Sequence, residues 1–106
     1  MTARTAEPQP GYFLVRIVQK GPWVPAVIRQ DDGQLRAAIL GNAADVYRVW
    51  DFGHPIARDD YDYLMADAAW CRRHAPDKPL ANPDKPLDQR MSVERFKREV
   101  LGYANQ

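Results

Sequence analysis

One cysteine, Cys71, stands in the whole 106-residue chain, so no internal disulfide can form and no extracellular disulfide framework is implied. A lone thiol fits a reducing cytoplasm. Histidine is nearly as scarce, with His54 and His74 alone, which leaves too few soft or imidazole ligands for a tetrahedral metal site of the usual kind. Charge of one sign is not in excess either. Lysine and arginine total 15 against 14 acids, a net charge of +1, and that balance lacks the strong positive field of a dedicated nucleic-acid binder while leaving room for a local basic patch. No apolar run approaches the roughly 18 to 20 residues a membrane helix needs, and the opening "MTARTAEPQP" has no apolar leader segment. A soluble cytoplasmic protein with a loose N-terminus over residues 1–10 is expected. A glycine-rich phosphate loop, GxSxG, HExxH and CxxC are all missing from the sequence. The expectation is therefore a protein that is not an enzyme and uses no cofactor or metal.

What is present reads as one domain of ordinary size, long enough to build a core without covalent staples. From Gly11 the run "YFLVRIVQ" places Phe13, Val15 and Ile17 on one face at period two, the pattern of a strand. "KGPW" supplies a turn. In "WVPAVIRQ", Val24, Ala26 and Ile28 alternate with Pro25, Val27 and Arg29, and a proline without a donor belongs near a strand start or edge. "DDG" at Asp31 to Gly33 signals a hairpin into "LRAAIL", closed by Gly41 and Asn42. "DVYRVWDF" is read as a fourth strand, with Val46, Arg48 and Trp50 opposite Tyr47, Val49 and Asp51. The expected fold class is α+β: a small four-stranded antiparallel sheet, barrel-like or curled, packed by one helix.

That helix is expected between Pro55 and Pro76, capped at Asp59 or Asp60, with Tyr61, Leu64, Met65, Ala68, Cys71 and Ala75 forming its apolar face. His54 is placed in the loop before it. The domain of sheet and helix spans residues 11–75. Residues 76–91 follow as a proline-rich strap or linker, and residues 92–106 as a C-terminal amphipathic helix capped by Ser92. The strap repeats PDKPL at Pro76 to Leu80 and Pro83 to Leu87. In a polyproline helix this spacing turns the copies about 120° apart, and in a strand it sends them to opposite faces. Neither conformation offers both copies to one partner. An extended strap bent near Ala81 and Asn82, anchored by Leu80 and Leu87, is the simpler reading.

Five clusters are candidates for chemistry or recognition. Asp67, Cys71 and His74 lie at helical spacing, but an apolar-face cysteine is more often a packed small hydrophobe than a nucleophile or ligand. Asp59, Asp60 and Asp62 suit the positive end of the helix dipole better than a catalytic pair. On the helical wheel Tyr63, Asp67, Trp70 and His74 point away from the sheet, either covered by the strap and the last helix or exposed as a partner-binding surface. Val93, Phe96, Val100 and Leu101 form a stripe that must dock on its own domain or on a second copy, which would make a homodimer. A nucleic-acid alternative would use Arg16, Arg29, Arg36 and Arg48 on strand faces, with Tyr12, Trp23 or Tyr47 as stacking platforms.

At "GYFLVRIVQKGPWVPAVI", Gly11 to Ile28, the chain resembles a group of short phage and prophage proteins of proteobacteria. The resemblance continues through Trp50, Pro55 and Ile56 and the Tyr61 to Trp70 helix as far as the proline-leucine segment, and "GPWVPA" is its most specific element. It brings no catalytic or binding residue with it, and the C-terminal helix extends past the usual end of the group. What it implies is a mobile-element accessory protein. Proteins of that size and origin often bind and block, or redirect, a larger host or phage factor, and the leading expectation is therefore a protein partner. A small-barrel nucleic-acid module and a minor virion component are the alternatives.

Overall fold

The computed structural model describes residues 7–87 and 92–102. Its elements run β1 (Gly11–Val15), β2 (Val24–Asp31), β3 (Gln34–Ile39), β4 (Asn42–Ala44), α1 (Val46–Phe52), β5 (His54–Ile56), α2 (Arg58–His74) and α3 (Val93–Glu99), with a 3-10 turn over Pro79–Ala81. The fold is α+β, as expected. The five strands make one antiparallel sheet in the order β4-β3-β2-β1-β5, open rather than closed into a barrel. Asp32 and Gly33 both have positive φ, 52° and 77°, the geometry of a tight two-residue turn whose twist matches its strands. Pro25 pairs with Leu14 of β1, while the β3 ladder begins one residue later at Ala26 opposite Ile39. Its missing donor is thus placed where β3 does not need it, and its carbonyl accepts from the Leu40 amide at 3.0 Å.

Two expectations are corrected. "DVYRVWDF" is not a strand but helix α1: the Asp45 side chain accepts from the Tyr47 amide at 3.0 Å, and Val46, Val49 and Trp50 turn inward at helical spacing. The edge strands are instead the three-residue β4 and β5, so His54 lies in a strand and not a loop. The sheet is consequently covered on both faces. Phe13, Val15, Val24, Ala26, Ile28, Ala37 and Ile39 cluster with Val49 of α1, whereas Leu14 and Trp23 join Leu64 of α2 and Val93 and Phe96 of α3. Gly53 links α1 to β5 where a Cβ would collide with the Val49 carbonyl and crowd Phe13. A side chain there would force the two apart.

Helix α2 starts slightly before the expected caps. Its N-cap is Ala57, and Asp59 and Asp60 sit in the first turn, with Arg72, Arg73 and His74 in the last; both placements suit the helix dipole. The strap then crosses the domain. Asn82 donates from Nδ2 to the carbonyls of Pro76 and Lys78 at 2.7 and 3.1 Å, and the Leu87 amide donates to the Lys20 carbonyl at 2.8 Å. The first PDKPL copy thus closes α2 and enters the 3-10 turn, and the second is tied to the β1–β2 loop. The strap's expected residues 88–91, residues 103–106 of the C-terminal segment and residues 1–6 of the N-terminal one lie outside the described residues.

Candidate functional site

The seventeen-residue α2 has the two faces its periodicity implies. Leu64, Ala68 and Cys71 are buried, and Tyr61, Met65 and Ala75 are half-buried on the same side. On the other side Trp70 is 53% and Tyr63 55% exposed. Among the described residues the open alternative is resolved in favour of exposure: the described parts of the strap and α3 leave both rings more than half open. Along its own helix the His74 ring lies 5.0 Å from Trp70 at 38°.

Asp67 lies between this aromatic ridge and the buried face, and it leads into a groove. The groove, about 270 Å³, opens between α2, the strap and α3, lined by Pro22, Trp23, Asp67, Cys71, Lys78, Pro79, Leu80, Leu87, Phe96 and Val100. Its floor is firm, because Trp23 is buried with the Arg16 guanidinium 4.1 Å over its ring and His54 meeting it edge-on at 5.3 Å. Helix α3 forms the far wall. Ser92 caps it by accepting from the Arg95 amide at 3.1 Å, and Lys97 Nζ donates to the Pro55 carbonyl at 2.9 Å. Of the expected α3 stripe, Val93 and Phe96 are buried in the domain's own core, Leu101 packs beside them, and Val100 is 39% exposed at the groove. Asp67 of the first surface and Phe96 and Val100 of the second, read separately from the sequence, therefore line one groove. Asp67 and Lys78 are the charged groups among the described lining residues, and the rest is apolar. Such a groove can take up a large apolar side chain.

The four arginines do not form one surface. Arg48 lies on α1, not on a strand, and its guanidinium donates to the Arg16 and Ile17 carbonyls at 3.3 and 2.7 Å. Arg16 is spent on Trp23, which is too buried to serve as an exposed stacking platform. Arg29 and Arg36 face each other across β2 and β3 at the opposite end of β1. Near them Tyr12 packs on Tyr61 with ring centroids 4.9 Å apart. Burial pushes the Tyr61 phenol above its ordinary value, opposed by the neighbouring Arg29.

Cys71 is buried, while the His74 ring turns to Trp70. Among the described residues no group of three or more acidic, histidine or cysteine side chains is placed to hold a metal ion, and no helix is long and apolar enough to cross a membrane. Sequence reasoning named Tyr47 only as a stacking platform on an expected strand and missed Phe52; on α1 they are exposed at 60% and 67%. A helical reading of "DVYRVWDF" would have found both, since they oppose Val46, Val49 and Trp50. Compared with protein-family models, curated proteins and solved structures, the chain finds no match in any of the three.

Proposed function

We propose that this chain is a non-enzymatic accessory protein of phage or prophage type, acting in the host cytoplasm by binding another protein and blocking or redirecting it. The partner meets the Tyr63, Asp67, Trp70 and His74 side of α2 and sets an apolar side chain into the groove beside Asp67. The observation that carries this reading is a tryptophan and a tyrosine, each more than half exposed, three and four residues along α2 from Asp67, which lines a largely apolar groove floored by the buried Trp23. Tryptophan and tyrosine are enriched in binding hot spots, and anchors gain most beside a desolvated pocket. Tyr47 and Phe52 make a weaker case, because the cavity beside Phe52 is partly lined by Arg16, Gln19 and Arg48.

The test is recovery of partners from lysate of a phage-bearing host, with nuclease present, on the wild-type chain and on Trp70→Ala in parallel. A protein retained by the wild type and lost by the variant, through a weakening of about 2 kcal/mol or more, supports the reading. Equal recovery by both, or recovery abolished by nuclease, contradicts it.

A further inference from the structure

A second cleft, about 680 Å³, lies between the start of β1, the end of β2 and the first turns of α2. Its volume falls within the range of roughly 300 to 1,000 Å³ found for small-molecule sites. Three features at and beside its wall are unusual together. Arg29 lines the cleft and stands directly across the ladder from Arg36, its neighbour on β3 outside the lining, and both are exposed; like charges so placed destabilise a sheet. Neither makes an ion pair among the described residues, where the salt bridges are Arg58 to Asp62 and Arg95 to Glu99. Arg58 adds a third guanidinium at the cleft, 3.7 Å from Asp62, and Asp31 follows Arg29 two residues along the same strand face. The positive charge is therefore in excess at this spot, although the chain as a whole is nearly neutral. Beside the arginines the paired rings of Tyr12 and Tyr61 form an aromatic wall, and the Arg29 charge acts on the Tyr61 phenol next to it.

We infer that this cleft binds the phosphate group of a nucleotide, with Arg29 and Arg36 on the phosphate oxygens and the base against the Tyr12 and Tyr61 wall. Guanidinium forks match phosphate oxygens in pairs, and a dianion between two facing arginines replaces their repulsion with attraction. Aromatic side chains accept bases of any sequence by stacking. The site lies apart from the α2 groove and stands independently of the protein-binding reading. The phosphate belongs either to a free mononucleotide or to the 5′ end of a strand.

The test is titration of the nitrogen-15-labelled full chain with adenosine 5′-monophosphate, followed by the amide signals of Tyr12, Arg29 and Arg36. Saturable shifts tighter than about 1 mM are expected, with adenosine at least about tenfold weaker and Arg29→Ala and Arg36→Ala each losing about tenfold, the worth of one charge-assisted hydrogen bond. Both arginines are exposed, so the remaining signals should stay in place and report a folded variant. A 5′-phosphorylated oligoadenylate that binds more tightly than the mononucleotide assigns the site to a strand end, and the reverse order assigns it to the free nucleotide. Equal binding of adenosine and its monophosphate, no saturation by about 1 mM, or wild-type affinity in both variants overturns the inference.

Discussion

Leu80 and Leu87 end identical pentapeptides and yet sit in different surroundings. Leu80 packs from the 3-10 turn against the sheet cluster, and Leu87 is held by its own amide on Lys20; both line the groove. Leu80→Ala and Leu87→Ala should each lower stability by roughly 1 to 2 kcal/mol, less than a fully buried leucine because both are half-buried. The denaturation midpoint measures this, and unchanged midpoints in both variants would mean that the strap is not held. Trp70 and Leu64 give the opposite contrast on one helix. Leu64→Ala should cost about 2 to 5 kcal/mol, whereas Trp70→Ala should stay within about 1 kcal/mol of wild type, since its exposed ring leaves no cavity behind. At this scale much was legible: the period of α2 alone places Tyr63 and Trp70 opposite Leu64, Ala68 and Cys71. The wheel could not say whether something else covers them, because that depends on where the strap and α3 dock.

Helix α1 is the element that local pattern misassigns. Val46, Tyr47, Val49 and Trp50 are the β-branched and aromatic residues that favour strands, and the same seven letters satisfy period two and helical spacing about equally. Tertiary placement decides between them. The Asp45 cap starts the helix, the Gly53 close approach ends it, and the inward side of Val46, Val49 and Trp50 covers a sheet face that would otherwise be bare. Asp45→Ala should therefore cost about 1 kcal/mol, and Asp45→Asn should recover most of it because asparagine caps as well. Equal stability of all three proteins would remove the cap from the account. Strands β1, β2 and β3 were legible because alternation and the Asp32–Gly33 turn agree; β4 and β5, at three residues each, are too short to show a period.

Over the whole molecule, each covered face of the sheet has its own buried cluster, and Trp23 and Phe96 of the second also line the groove. The groove was not legible because Trp23, Leu80, Leu87 and Phe96 are far apart in sequence and meet only through the β1–β2 loop, the strap and α3. Folding also leaves a pH signature. The Tyr61 phenol is raised above 10.0 chiefly by burial, so the folded state holds that proton more tightly than the unfolded chain. Its contribution is complete below pH 10.0 and is lost as pH rises through the folded-state value; Tyr61→Phe should remove that part of the alkaline loss of stability, and an identical alkaline profile in the variant would contradict it. The central claim, that Trp70 is an open anchor for a protein partner, is reached most directly in the Trp23→Phe, Trp50→Phe double variant, whose sole tryptophan is Trp70. Quenching of its fluorescence by acrylamide should be strong in the free protein and strongly reduced once the recovered partner is bound. A Trp70 shielded in the free protein, or one quenched equally in the complex, would contradict the account.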